Sequence, residues 1–413
     1  MAWYEFAGAR RQEPGHCPAT IATVTTAPAS HPYRLDEEQL MLRDAVRVLA
    51  DERIASRAAE IDRTAEFPHD VRDLLAEHDI LALPFPEEYG GLGSDLLTVC
   101  LAIEQISRVC ATSGLILAVQ ELGSLPILLA GTDEQKRRWL PDLAAGRTLI
   151  AFALTESEAG SDASAARTRA VRDGDDYVID GSKRFISQGS VADLIVVFAA
   201  TDPGARKPSR RLSAFLIEKD RPGFEVSRIE HKMGIRGSPT AELAFNNVRI
   251  PASNRLGEEG EGFAIAMQTF ERSRPGIAAQ AVGIAQGALE VAVRYAQERK
   301  QFGRPIGELQ MIQAMLADMD AATEAARQLL YAACAAIESG APDASRWAAL
   351  CKLVAGDAAM RVTTDAVQVL GGYGYIDEFP VERMMRDAKI TQLYEGTQQI
   401  QRLVIARSLL GRG

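Results

Sequence analysis

Apolar positions along the chain follow two spacings. From Leu35 onward, Leu42, Ala45, Val46 and Leu49 recur at intervals of three and four, which places them on one face of a helix. Asp36 and Gln39 precede that run with the spacing of a capping box. The same period predicts helices around 71–78, 97–109, 112–129 and 134–144, so residues 35–148 read as a helical domain. Then the pattern shortens. Residues 177–179 and 183–187 read as two strands joined by a tight turn at Asp180-Gly181, and 194–199, 212–218, 224–228 and 242–250 are further β-branched or aromatic runs bounded by turn residues. Residues 149–256 are expected to form a small all-β domain. After a glycine-rich stretch at 257–262, helical spacing returns in 263–271, 275–299, 312–339, 344–370 and 397–410, making 257–413 a helical bundle. The fold class expected is α+β and multidomain.

Composition narrows the function. A chain of 413 residues with 47% hydrophobic residues can bury a large core. Its net charge of −10 offers no long-range field for nucleic acid or an anionic membrane, so an anionic ligand needs local groups. Neither nucleic acid nor a membrane is an expected partner. Cys17, Cys100, Cys110, Cys334 and Cys351 are odd in number and form no C-x-x-C pair, which predicts reduced, mostly buried thiols. The five histidines lack metal-ligand spacing, and no metal is expected. No apolar run approaches the ~18 residues of a membrane span, so none is expected. Residues 1–34 read as a disordered extension without a secretory signal, which leads to a cytoplasmic expectation. Arg10 and Arg11 keep an organelle transit peptide, and thus a mitochondrial matrix location, as the alternative.

No G-x-G-x-x-G follows a strand, and neither a P-loop nor a G-x-S-x-G elbow is present. Three other segments could carry chemistry. Residues 153–162 join an apolar strand to a loop of small hydroxyl residues, suited to the polar edge of a planar heteroaromatic, with Phe152 and Leu154 as apolar wall. An ordinary connecting loop is the competing reading. Residues 368–375, with three glycines at a helix end, allow close approach of a backbone or a phosphate, or simply stop a helix. Glu395, in Tyr394-Glu395-Gly396-Thr397, could project into a cleft where desolvation makes it a useful base, or merely favour the next helix N-terminus.

Together and in this order, the three segments resemble the signatures of the acyl-CoA dehydrogenase family over residues 35–413. That resemblance implies an N-terminal helical domain, a central small β-barrel or sandwich and a C-terminal four-helix bundle. It implies FAD held by Phe152, Leu154, Thr155, Ser161, Phe185 and Ser187, with Arg299, Phe302, Gln310, Gln368, Gly371 and Gly372 reaching the FAD of a neighbouring subunit. Thr397 and Gln399 also fall at cofactor positions, and Ser161, Arg274, Tyr394 and Gly396 at substrate positions. The implied reaction removes an α-proton from an acyl-CoA with Glu395 and delivers the β-hydride to flavin N5. A homotetramer and an electron-transfer flavoprotein as acceptor follow from the same resemblance. Residues 232–238 look closest to short- or branched-chain members. Some members carry the base one residue before the arginine at 274, where this chain has Ser273, so Glu395 is the expected base. Ser157, Glu158, Phe185 and Gln188 depart from the residues common in the family. Two alternatives remain: a flavin-dependent oxidase or monooxygenase of the same superfamily, against which the 394–397 segment argues, and a non-catalytic acyl-CoA-binding protein that has kept the fold.

Overall fold

The computed structural model describes residues 35–411. The expected disordered extension, and Cys17 with it, lies outside them. Six helices come first: α1 (Glu37–Leu49), α2 (Ala58–Thr64), α3 (His69–Glu77), α4 (Leu96–Ser107), α5 (Ala111–Ala130) and α6 (Asp133–Ala144). The capping box forms as expected, Asp36 Oδ1 accepting from the Gln39 N–H at 2.8 Å and Gln39 Oε1 from the Asp36 N–H at 3.2 Å.

Eight strands follow: β1 (Ile150–Ala153), β2 (Arg169–Asp173), β3 (Asp176–Ser187), β4 (Leu194–Ala200), β5 (Leu212–Glu218), β6 (Phe224–Ile229), β7 (Thr240–Pro251) and β8 (Arg255–Leu256). They form one sheet in the order β6-β7-β3-β2-β4-β5-β8, with β1 parallel to β4. Every residue of β4 is buried, because its alternate side chains enter two cores. Leu194, Val196 and Phe198 pack with Ile127 of α5 and Leu140 of α6. Ile195 and Val197 face Phe215, Leu243 and Phe245, and this core also gathers Phe224 and Val226 from the far end of the strand order. The sheet therefore curls around it.

One expected turn is absent. Residues 177–187 are a single strand, and Asp180-Gly181 is a bulge where the register against β7 shifts. Gly181 is required there because a Cβ would lie 2.7 Å from the backbone of Thr168. The hairpin turn instead joins β2 to β3 at Gly174, whose φ is 63°.

The last third contains α7 (Gly262–Glu298), a short hairpin of β9 (Lys300–Gln301) and β10 (Arg304–Pro305), then α8 (Gln310–Glu338), α9 (Ala344–Leu370), α10 (Val381–Ala388) and α11 (Gln398–Leu409). The two helices expected at 263–271 and 275–299 are one, with Pro275 inside it. Proline's missing N–H costs about 3 kcal/mol. Burial of α7 on both sides of Pro275, from Ile265 to Ala296, offsets that loss. Helices α4 and α5 share one hydrophobic core with α7, α8 and α9. Contrary to the sequence expectation, α5 and α7 are long and apolar enough to cross a membrane by length and composition; 78% of each stretch is buried within the protein, which marks them as core helices. Cys100, Cys110, Cys334 and Cys351 are free and buried.

Candidate active site

Between the sheet and the bundle runs a cleft. Leu115, Val119 and Leu122 of α5 and Phe270 of α7 form its apolar walls, while Thr155, Ser187 and Glu395 bring polar groups to it. Glu395 stands between the turn at Lys389–Gln392 and α11 with φ 51°, and Gly396 follows with φ 90°. Left-handed backbone at a non-glycine persists only where its surroundings hold it. Here Gln401 Nε2 donates to both carbonyls, at 3.1 Å for Glu395 and 2.8 Å for Gly396, Arg274 Nε donates to the Glu395 carbonyl at 3.3 Å, and Lys352 Nζ donates to that of Gly396 at 2.7 Å. The carboxylate is aimed from a clamped backbone. Tyr394 is held in turn by a hydrogen bond to Gln280, which donates to the Ala111 carbonyl at the start of α5.

Burial pushes the Glu395 carboxyl up to about 7, while the Ser273 hydroxyl donating to Oε2 at 2.6 Å and the charges of Arg274 and Lys352 work the other way. The same desolvation lowers Arg274 and brings Lys352 down to about 8. A carboxylate that titrates near neutrality can take a proton and give it back.

The opposite wall depends on a buried ion pair. Glu156 accepts from the backbone N–H groups of Arg167 at 2.6 Å and Thr168 at 3.0 Å, and from Lys183 Nζ at 2.7 Å; Lys183 also donates to the Leu154 carbonyl at 3.0 Å. Lys183 is fully buried, and burial draws it down to about 8 against the pull of Glu156. Thr155 and Leu154 are thus fixed from behind. Phe185 and Gln188 take left-handed φ of 58° and 57°, which turns the end of β3 across the cleft. Gln188 Nε2 donates to the Leu115 carbonyl at 3.3 Å, tying that end to α5.

A second concavity, of about 580 Å³, lies on the bundle, lined by Arg299, Phe302, Leu309, Gly371, Gly372 and Tyr373 among others. Phe302 is 90% exposed, at φ 52°, and the Arg299 guanidinium lies 5.3 Å from the Tyr373 ring centroid.

Three family models match the chain in register: acyl-CoA dehydrogenase N-terminal domain over 36–147, middle domain over 151–248 and C-terminal domain over 260–410. The chain belongs to the acyl-CoA dehydrogenase family. Cyclohex-1-ene-1-carbonyl-CoA dehydrogenase of Geobacter metallireducens is 52% identical over 377 residues, covering 91% of this chain and 99% of its own. The solved butyryl-CoA dehydrogenase of Megasphaera elsdenii superposes with a TM-score of 0.88 at 43% identity, covering 91% and 99% of the two chains. A chain from a structure described as the electron transferring flavoprotein of Acidaminococcus fermentans superposes with 0.89 at 47% identity, with the same coverage. This acyl-CoA dehydrogenase is an oxidoreductase, and members of its family are flavoproteins that use FAD.

The residues present suit that cofactor. Phe152, Leu154, Thr155, Phe185, Ser187, Tyr394 and Glu395, separated widely in sequence, meet in the cleft. Arg299, Phe302, Gly371 and Gly372 meet in the bundle groove, where a cation and exposed aromatic surface suit a phosphate and a purine. The remaining expected residues lie outside both linings. Arg274 and Gly396 lie behind the Glu395 carboxylate, bonded as described. Thr397 N-caps α11, accepting from the Ile400 N–H at 3.4 Å. Ser161, Gln310, Gln368 and Gln399 are exposed, at the 155–165 loop, the start of α8, the end of α9 and the start of α11. Lys183, Glu156, Lys352 and Gln280 were not foreseen as site residues. Lys352 and Gln280 are polar residues inside otherwise apolar helices, Glu156 and Lys183 lie among polar neighbours, and in each case only the fold reveals the partner.

Proposed function

We propose that this chain oxidises a short or cyclic acyl-CoA to its trans-2-enoyl-CoA, with FAD as cofactor and Glu395 as the base that takes the α-proton. The observation carrying this reading is a half-buried, backbone-clamped carboxylate beside an apolar cleft, which desolvation pushes up to about 7. Its neighbours have separate tasks. Ser273 and Arg274 stabilise the ionised form before reaction, and the clamp on the 395 and 396 carbonyls leaves the Glu395 N–H to face the thioester oxygen, whose charge grows as the proton leaves. Leu115, Val119 and Leu122 exclude water from the acyl group. FAD, when bound, supplies the acceptor for the β-hydride.

Thr155, Phe152 and Phe185 hold its ring in one subunit, and Arg299 with Phe302 holds the distal end of the FAD of a neighbour in a homotetramer. The exposed Phe302 supports that arrangement. An electron-transfer flavoprotein takes the electrons onward, a reading supported by the Acidaminococcus neighbour. The cyclic and butyryl substrates named for two relatives support a compact acyl group. Anaerobic mixing of the flavin-loaded protein with a panel of acyl-CoAs tests the reading: one class bleaches the flavin in wild type and not in Glu395→Gln, which retains FAD. No bleaching by any thioester, or an unaffected variant, sinks it.

A further inference from the structure

Glu395 is half-buried, and an acyl group seated in the cleft covers its open side, from which the α-proton arrives. The proton needs another exit. Across α5 from the cleft lies a separate cavity of about 310 Å³, lined by Phe85, Leu96, Glu121, Ser124, Arg272 and Glu338 among others. Two of its α5 side chains hold polar atoms without a hydrogen-bond partner: Glu121 Oε2, in a residue 5% exposed, and Ser124 Oγ, in one 1% exposed. A buried polar atom without a partner is costly, and both belong to side chains lining this cavity, which makes it the place for a ligand such as water.

Glu121 also reaches toward α7. Its Oε2 lies 3.3 Å from the point a Cβ on Gly276 would occupy, so only a residue without a side chain leaves that space open. Gly276 is one helical turn from Ser273, whose hydroxyl bonds Glu395. That turn rises about 4.5 Å, a span one water bridges. At the outer end, Arg272 and Glu338 are exposed.

We propose that Glu121 is a proton relay, receiving the α-proton from Glu395 and passing a proton to water in the second cavity, which opens to solvent beside Arg272 and Glu338. The O–H bond on Glu395 breaks as one forms on Glu121, the proton on the other Glu121 oxygen goes to water, and no electron moves. Burial, and then the charge of Glu395, push Glu121 up to about 8, so the neutral carboxyl from which this step starts is its resting form near pH 7. The other titratable and charged groups around the pair are Arg272 and Arg274 on α7, Cys351 and Lys352 on α9, Cys100 on α4, Glu338 on α8 and Tyr394.

The proposal rests on Glu395 being the base, and a single-turnover experiment separates the two. Flavin-loaded protein in weak buffer with a pH indicator is mixed anaerobically with the acyl-CoA that bleaches it. In wild type a proton reaches the solvent at the bleaching rate, ahead of product dissociation. Glu121→Gln bleaches within about twofold of wild type but releases its proton at least tenfold later, with product, and Glu121→Asp restores early release. Early release from Glu121→Gln, release only with product in wild type, or equal slowing of bleaching and release overturns the relay. Wild type that never bleaches sinks the base assignment instead. Should Glu121→Gln fail to fold, Ser124→Val narrows the cavity without touching the base; it delays the proton alone, and early release from it overturns the proposal.

Discussion

The cleft at Glu395 and the groove at Arg299 share a backbone device and differ in everything around it. Glu395 and Phe302 both occupy left-handed φ, 51° and 52°. Glu395 is enclosed by α7, α9 and α11, its carbonyl and that of Gly396 are bonded, and its carboxyl is pushed up to about 7. Phe302 projects from a two-stranded hairpin and is 90% exposed. Enclosure raises the proton affinity of one strained residue, as the proposed base requires. Exposure leaves the other as a surface that acquires a role only when something covers it.

The sharpest way to break this contrast is Glu395→Gln, expected to slow flavin bleaching by about 10²–10⁴-fold in stopped-flow mixing while FAD stays bound. Wild-type bleaching should rise with pH through a midpoint of about 7, because the base acts ionised and burial has raised its proton affinity; a midpoint near 4.5 would show the cleft to be wet. Removing one partner of the buried pair opposite, in Lys183→Met, leaves Glu156 without its counter-charge and held only by two backbone N–H groups, and denaturant titration should show a loss of about 3 kcal/mol. Gly396→Ala places a Cβ 2.8 Å from Gln401 Nε2 at a φ of 90°, and a loss of about 1–3 kcal/mol with slower bleaching is expected. Least affected should be Arg299→Ala, whose open groove forgives more: FAD binding weakens by about tenfold, measured by flavin loss on dilution, with the bleaching rate of the loaded protein unchanged.

Local signals were legible where the residues that make them are neighbours. The Asp36–Gln39 box, the bounds of α9 and the loop bearing Glu395 are written within a few positions of each other. What could not be read were pairings across the chain. Lys183 meets Glu156 across 27 residues, Lys352 meets Gly396 across 44 and Ser273 meets Glu395 across 122. Nothing in the spacing of Lys352 within an apolar helix distinguishes a clamp on a distant carbonyl from a solvated lysine. Local grammar also misled twice. Asp180-Gly181 has turn chemistry, yet the close pass of Thr168 uses the glycine for a bulge, and Pro275 has breaker chemistry, yet α7 is held on both sides by burial. In both cases tertiary contact overrode propensity.

Helix α7 has a consequence for how the protein comes into being. Side chains at Gly283 and Gly287 would strike the carbonyls of Glu104 and Arg108, so α4 rests directly on the α7 backbone, and α5 packs beside it. During synthesis α4 and α5 leave the ribosome long before α7 exists, with the faces they will press on it still bare. The first third therefore waits for the last, and a nascent chain halted after the sheet should depend on chaperones until α7 arrives.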